Sequence, residues 1–230
     1  FRAVFAVAIV PAALAVLLLA LGVREPEGLV LASRGNPISR ANLARLGNGY
    51  RRVVVIGAVF TLARFSEAFL VLRAEQAGVP VAWIPLVMVG MSGVYALSAF
   101  PFGHLADRVA HERLLAWGLG VLVAADLVLG FAPGLPGLAI GVVLWGVHMG
   151  MTQGLLAAMV ADHAPADLRG TAFGVFNLVS GVALLLASVI AGVLWTVWGA
   201  SWTFGAGALF GGVALAGLWL SRRPAVAPSA

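Results

Sequence analysis

Long apolar runs separated by short polar stretches are the main pattern of this chain. Residues 4–23 carry no charge, and six further apolar runs of similar length follow. At about 1.5 Å of rise per residue, about 20 residues of helix cross a hydrocarbon core about 30 Å thick. The pattern predicts seven membrane helices, over residues 3–23, 52–74, 82–102, 114–132, 137–161, 170–194 and 202–221.

Composition supports this interpretation. Hydrophobic residues make up 62% of the 230 residues and charged residues only 10%. A soluble domain of this length needs far more charge to cover its surface. The fold class predicted is therefore all-α, a polytopic transmembrane helical bundle of about seven membrane helices.

Residue usage excludes several chemistries. There is no cysteine, which excludes disulfides, thiolate metal sites and cysteine nucleophiles. There is no lysine, which excludes a retinal Schiff base. The four histidines show no HExxH spacing, and neither a Gly-x-Ser-x-Gly elbow nor a phosphate-binding loop is present. We therefore expect no enzyme, no metal site and no cofactor.

The arginines are distributed unevenly across the predicted helices. Eleven lie in loops or helix ends on one side, against two, Arg2 and Arg73, near the other. Basic residues concentrate on the cytoplasmic side of membrane proteins, so this bias predicts a cytoplasmic linker and C-terminus. It also explains the net charge of +5 without nucleic-acid binding. The eleven are Arg24, Arg34, Arg40, Arg45, Arg51, Arg52, Arg108, Arg113, Arg169, Arg222 and Arg223.

Four segments follow from these boundaries. We predict a membrane helix over 1–23, a cytoplasmic linker over 24–51, six closely spaced helices over 52–221 and a cytoplasmic tail over 222–230. The chain begins at Phe1 and enters a hydrophobic helix almost at once. We expect it to be a piece of a longer protein.

A polar stretch between the third and fourth predicted helices carries the first motif. It reads Gly103-His-Leu-Ala-Asp107-Arg108 and is followed by Glu112-Arg113. Gly103 allows two helix ends to approach, and Asp107 is placed to accept hydrogen bonds from backbone N–H groups at a helix start. Arg108 and Arg113 are placed to pair with nearby carboxylates or helix C-terminal carbonyls.

This stretch resembles the loop signature of the major facilitator superfamily, Gly-x-Leu-Ala-Asp-Arg followed by a basic cluster. The first half of the signature matches, whereas residues 110–113 stand where the family has Gly-Arg-Arg or Gly-Arg-Lys. In the family the loop between helices two and three recurs, often degenerately, between helices eight and nine. The resemblance therefore implies a gating loop formed by Gly103, Asp107, Arg108 and Arg113.

A second cytoplasmic loop, between the fifth and sixth predicted helices, strengthens the resemblance. It contains Asp162, Pro165 and Arg169-Gly170, and it is similar to the family's loop between helices ten and eleven. Pro165 ends one helix, and we expect Gly170 and Gly174, four residues apart, to let the next helix pack closely.

The resemblance spans essentially the whole chain and implies family helices six to twelve. This segment is the C-terminal half of the transporter, together with the helix and the central loop that precede it. The implied partner is the missing N-terminal six-helix half of the same protein. The family holds its substrate between the two halves near the middle of the membrane and moves by alternating access.

Charged residues inside membrane helices are the first candidates for function because they are costly in hydrocarbon. Arg64 and Glu67 lie in the middle of the second predicted helix, which resembles the cavity-lining helix seven. Three residues apart, they share one helix face and can neutralise each other. Arg64 is a candidate for binding an anionic substrate group and Glu67 for carrying a coupling proton; a purely structural ion pair is the alternative.

Three further candidates lie in neighbouring helices. His148 and Gln153 belong to the fifth predicted helix, which resembles the cavity-lining helix ten, and Tyr95 belongs to the third. A histidine that only hydrogen-bonds a neighbouring helix is the alternative for His148. Asp126 lies in a helix that resembles the peripheral helix nine, so we expect it to pair with a neighbouring helix or to lie near the outer surface.

The fifth predicted helix also carries a ridge of glycines at four-residue spacing. Gly146, Gly150 and Gly154 allow either close helix packing or backbone bending. The sequence leaves both possibilities open.

The function expected is secondary active transport of a small solute by alternating access. We expect proton coupling, and we prefer efflux because polar residues at cavity positions are sparse. The alternative is a non-transporting membrane receptor or scaffold. The partners expected are a small-molecule substrate and the lipid bilayer, with no nucleic acid, and the location expected is the inner membrane of a bacterium.

Overall fold

Helices form all the regular structure that the computed structural model describes, in residues 2–22 and 39–220. The predicted all-α membrane bundle is confirmed. The helices are α1 Arg2–Gly22, α2 Arg40–Arg45, α3 Gly47–Ala63, α4 Ala68–Gln76, α5 Ile84–Ala106, α6 His111–Phe131, α7 Gly134–Thr152, α8 Leu155–His163, α9 Arg169–Trp198 and α10 Ala200–Leu220.

Six stretches are long and apolar enough to cross a membrane. They correspond to the last six predicted helices, and two of them consist of two helices in succession, α3 with α4 and α7 with α8. The first predicted helix forms α1, which belongs to a unit of its own. Its described apolar segment, Ile9–Gly22, is shorter than a full span, so a seventh membrane helix stays a prediction.

The predicted linker, 24–51, is partly helical. Ser39 caps α2 by accepting a hydrogen bond from the N–H of Asn42 at 3.2 Å, and this satisfies a donor that a helix start leaves unpaired. Gly47 then begins α3 with a φ of 71°, a value that favours glycine. The membrane segment therefore starts before residue 52. The rest of the linker and the predicted tail, 222–230, lie outside the described residues.

Helix α6 packs against both α7 and α10. Its buried face is a row of leucines with no exposed surface, Leu114, Leu115, Leu119, Leu122 and Leu129. Gly118 lets α6 approach Thr152 so closely that an added Cβ would overlap that side chain. Lipid supplies no hydrophobic driving force for helix association, so helices associate through close van der Waals packing, which small residues allow.

Two of the three glycines in the ridge make close helix contacts. A Cβ added at Gly146 would lie 2.8 Å from the carbonyl oxygen of Met91 in α5, and one added at Gly150 would overlap Ser98. Gly154 has open space at this position and lies where α7 gives way to α8. The ridge therefore serves both purposes that the sequence allowed, packing at its start and bending at its end.

Helices α5 and α9 are the least buried spans. Only 17% of the most apolar stretch of each is buried, against 39–50% in the other four. Their outer faces carry small residues such as Gly90, Gly93, Gly174 and Gly181, at which an added Cβ would meet no described atom within 4 Å. These two faces are thus free of helix contacts within the described part of the chain.

Candidate functional site

The first described span is interrupted near its middle. Helix α3 ends at Ala63, Arg64 is extended with φ −112° and ψ 92°, and α4 begins after Glu67. Arg64 and Glu67 therefore flank a break. The prediction that they share one face of a continuous helix is wrong.

No proline lies at this break, and local side chains form hydrogen bonds with the backbone on either side of it. The hydroxyl of Thr61 donates to the carbonyl oxygen of Gly57 at 2.7 Å, a bond that bends helices. The Oγ of Ser66 accepts a hydrogen bond from the N–H of Ala68 at 3.3 Å and so caps the start of α4. Phe65 lies within the break and is buried, and its ring packs against three other aromatic rings, those of Phe69, Trp145 and Phe204. Burial of this ring holds the irregular backbone in place.

A second break interrupts the span formed by α7 and α8, at Gln153 and Gly154. It is milder than the first, because Gln153 and Gly154 keep helical backbone angles. A similar bond lies beside it, from the hydroxyl of Thr152 to the carbonyl oxygen of His148 at 2.8 Å. Irregular backbone at membrane depth is tolerated only where protein buries it or where it lines a watery cavity. Interrupted helices are also the usual location of binding sites in transporters.

One hydrogen bond joins the two breaks. The guanidinium of Arg64 donates to the Oε1 of Gln153 at 3.0 Å. Arg64 is half-buried and Gln153 is exposed, so the pair faces open space. Arg64 also interacts electrostatically with Glu67 and His148, yet none of the ion pairs among the described residues joins Arg64 to Glu67. The bond to Gln153 uses one of the five N–H donors of the guanidinium, and a neutral amide does not balance its positive charge.

His148 lies in α7, five residues before Gln153, and is fully buried. Its Nδ1 is 2.8 Å from the carbonyl oxygen of Gly118 in α6, and its ring stacks on Phe60 with centroids 5.5 Å apart. The contact with Gly118 is a hydrogen bond to a neighbouring helix. The geometry therefore favours a packing role for His148 over direct contact with a solute.

Tyr95 lies on α5, half-buried against the hydrophobic core. Within the described residues its hydroxyl has no hydrogen bond, and its carbonyl oxygen accepts one from Ser98 at 3.0 Å. The structure therefore brings Arg64 and Gln153 together but does not bond Tyr95 to them.

The connection between α5 and α6 is shorter than the motif, because the first residues of the motif belong to α5. Gly103 lies in the last turn of α5, and Asp107 ends that helix. Asp107 is exposed and does not cap α6. Arg108 and Arg113 are exposed and form no ion pair with a described residue. The expected capping and pairing are therefore wrong for the described part of the chain.

Three charged pairs connect helices near the connection between α5 and α6. Arg52 of α3 contacts Glu112 of α6 at 3.2 Å. Two further pairs connect the end of α8 and the turn before α9 to neighbouring helices, Arg45 with Asp167 at 2.7 Å and His111 with Asp162 at 3.6 Å, the latter an ion pair only when His111 is protonated. All six side chains are partly exposed, so each pair contributes about 0–1 kcal/mol.

The remaining residues of the second loop, Arg169 and Gly170, begin α9 and are exposed. An added Cβ at Gly170 or at Gly174 would meet no described atom within 4 Å. The expected close packing at these glycines is therefore wrong within the described residues.

Two polar residues have surroundings that the sequence did not indicate. Asp126 is fully buried between α6 and α10, and neither carboxylate oxygen has a hydrogen-bond partner among the described residues. The expectation of a partner or an outer-surface position is wrong. Arg73 donates to the carbonyl oxygens of Leu129 and Ala132 at 2.7 and 3.1 Å and so caps the end of α6.

Comparison with known families decides the class of the chain. The family model for the Major Facilitator Superfamily matches residues 53–230, the whole of the region after the first turn of α3. The chain belongs to the major facilitator superfamily. Together with the six apolar spans, this membership makes it an integral multi-pass membrane protein. Superfamily members are transporters, so the expectation that the chain is not an enzyme is confirmed.

Two curated superfamily relatives illustrate the similarity. An uncharacterized MFS-type transporter of Methanocaldococcus jannaschii is 32% identical over 166 residues, which cover 69% of this chain and 41% of that protein. The mouse major facilitator superfamily domain-containing protein 10 is 28% identical over 165 residues, covering 71% of this chain and 35% of that protein. The chain therefore spans about two fifths or less of the length of these relatives.

Solved structures of peptide transporters share the superfamily fold. A POT peptide transporter crystallised with sulfate aligns with a TM-score of 0.61 and 18% identity, covering 76% of this chain and 37% of that one. The POT family transporter PepTSo aligns with the same TM-score and 19% identity, covering 79% and 39%. At this identity the similarity shows the fold alone.

Proposed function

We propose that this chain is the C-terminal part of a secondary active transporter that moves a small solute by alternating access. The superfamily membership supports transport, and the share of each relative that the chain covers supports a second half. The open faces of α5 and α9 fit the same proposal, because a second set of helices would bury them. The described spans then correspond to family helices seven to twelve.

The observation that carries the site is the hydrogen bond between Arg64 and Gln153, which joins two helix breaks near the middle of 30-residue spans. Arg64 has more donors than one amide oxygen uses, and the bond to Gln153 is exposed. A carboxylate or phosphate accepts such donors in pairs. We propose a solute with an anionic group, bound by Arg64 and oriented by Gln153.

The first prediction tests proton coupling through Glu67, which lies half-buried at the second edge of the break. A pH gradient of one unit supplies about 1.4 kcal/mol per proton and therefore about tenfold solute accumulation. In proteoliposomes with the full-length transporter, we expect the parent to accumulate an anionic solute from a panel. Glu67→Gln is expected to lose this roughly tenfold accumulation and to retain exchange of labelled solute.

Glu75→Gln is the matched control, because Glu75 is an exposed carboxylate at the end of the same span. Full gradient-driven accumulation by Glu67→Gln would show that Glu67 does not carry the proton. Movement of no solute in the panel by the parent would favour the alternative, a receptor or scaffold.

Orientation and direction belong to the same proposal. We assign the membrane end that carries the three ion pairs and the exposed Arg108 and Arg113 to the cytoplasm, because basic residues concentrate there. Apolar residues dominate the described bundle, which favours efflux of an amphipathic compound. Location in the inner membrane of a bacterium stays a prediction.

The second prediction concerns the short loop after α5. Asp107 is exposed and has no partner among the described residues, so we propose that it contacts the second half in one access state. Asp107→Asn is expected to lower the transport rate about tenfold, because loss of one charged contact of about 1.4 kcal/mol shifts the two states by that factor. Initial rates in proteoliposomes, compared at equal amounts of folded protein, test this. Parental rates for Asp107→Asn would contradict the gating role.

A further inference from the structure

A cleft of about 540 Å³ lies between α3, α6 and α10, away from the Arg64–Gln153 pair. Arg51 and Arg52 line one end of it, and every other lining residue is apolar. Val55, Val59 and Val213 are among them, with 61%, 37% and 60% of their surface exposed. The cleft therefore opens to the outside of the bundle, where lipid surrounds a membrane protein.

A smaller cleft of about 300 Å³ lies on the other side of the same ridge of α3. It is lined by residues of α2, α3 and α9, and it shares Arg51 and Val55 with the first. Its lining residues Leu43, Leu46 and Tyr50 precede Arg51 in the chain, so Arg51 stands at one end of the larger cleft only. A phospholipid likewise joins a charged headgroup to apolar chains.

The two arginines that line the larger cleft, Arg51 and Arg52, differ in their partners. Arg52 contacts Glu112 at 3.2 Å, which offsets part of its charge. Arg51 is exposed and forms no ion pair with a described residue. Arg51 is therefore placed to receive an anionic group.

The depth of the larger cleft also fits a lipid. From Arg51 to Val59, α3 rises about 12 Å, close to the roughly 15 Å of hydrocarbon in one leaflet. Arg51 lies one turn inside the start of α3, where helix ends reach the headgroup layer. A water-soluble anion would contact Arg51 and leave the apolar part of the larger cleft unused.

We propose that this surface binds an anionic phospholipid of the surrounding bilayer. The headgroup phosphate pairs with Arg51, and an acyl chain lies in the cleft between α3, α6 and α10. Burial of the chain and attraction of the phosphate act together, since neither apolar contact nor a single basic residue alone gives a stable lipid site.

Native mass spectrometry of the full-length protein in detergent, with phosphatidylglycerol or phosphatidylcholine added, tests the proposal. Two variants address the two parts of the site. Arg51→Gln removes the charge. Gly217→Leu fills the larger cleft, which Gly217 lines, and an added Cβ there would meet nothing within 4 Å. Arg113→Gln is the control, an exposed arginine at the same membrane end that lines neither cleft.

We expect the parent to retain phosphatidylglycerol in preference to phosphatidylcholine. Arg51→Gln should reduce bound phosphatidylglycerol about fivefold, equivalent to about 1 kcal/mol, and Gly217→Leu should reduce retention of both lipids. Arg113→Gln should resemble the parent. Equal retention by all four proteins would overturn the proposal and indicate that another part of the protein occupies the clefts. Equal retention of the two lipids by the parent would overturn the role of Arg51.

Discussion

Replacement of Arg64 with glutamine is expected to reduce transport about 100-fold and to leave the fold intact. Arg64 is half-buried, and among the described residues its side chain donates to the neutral oxygen of Gln153 and forms no ion pair within 4 Å, although Glu67 is close enough to interact electrostatically. A charge-assisted hydrogen bond contributes about 1.5–3 kcal/mol, and loss of about 2.7 kcal/mol lowers affinity about 100-fold. A glutamine at this position keeps a donor for Gln153 and loses the bond to an anionic solute.

Initial uptake rates over a range of solute concentrations test this prediction. Arg64→Lys keeps the charge but lacks the planar, two-pronged donor geometry, so we expect an intermediate rate. Arg73→Gln is the matched control, because Arg73 caps α6 through two carbonyl oxygens and should affect thermal stability more than transport. Parental transport by folded Arg64→Gln would remove Arg64 from the site.

Replacement of Gly146 with leucine is expected to lower the unfolding free energy by about 3 kcal/mol or more, at the upper end for overpacked sites. The added Cβ would lie 2.8 Å from the backbone oxygen of Met91 and 2.9 Å from the Cβ of Val94. Neither atom belongs to the flexible end of a side chain, so α5 and α7 would have to separate along their whole contact.

Thermal unfolding of the detergent-solubilised protein measures this effect as a fall in Tm of several degrees. Gly154→Ala is the control from the same ridge, because its added Cβ meets no described atom within 4 Å. Equal Tm values for Gly146→Leu and the parent would contradict the close α5–α7 contact.

Hydropathy alone predicted six of the spans, because about 20 apolar residues in a row have few alternatives to a membrane helix. It did not predict the breaks in two of them, since the polar residues beside the breaks, Thr61, Ser66 and Thr152, do not by themselves mark an interruption. Their effect depends on hydrogen bonds to backbone groups, which leave no trace in an average of hydrophobicity. The sequence therefore identified Arg64 and Glu67 as candidates, but it did not predict that they flank a break in the helix.

The contacts of polar residues were harder to predict than their positions. Asp126 was assigned to the periphery by analogy of helix order, whereas the packing of α10 against α6 buries it completely. The loop motifs located one membrane end, yet the pairs that form there use Arg52 and His111 rather than Arg108 and Arg113. Pairing depends on which helices are neighbours, and that information lies in the three-dimensional packing.

The two helix breaks separate two layers of helix contacts, and the uninterrupted helix α6 runs through both layers because it packs against α7 and α8. On one side of the breaks α3 packs against α8, and both pack against α9; on the other side α4 packs against α7, and both pack against α5. The bond between Arg64 and Gln153 lies where the layers meet. A rotation at residues 64–67 and 153–154 would therefore have to change contacts with α6 as well as the bond between Arg64 and Gln153. On the proposed function, a solute that draws Arg64 away from Gln153 would act where the two layers meet.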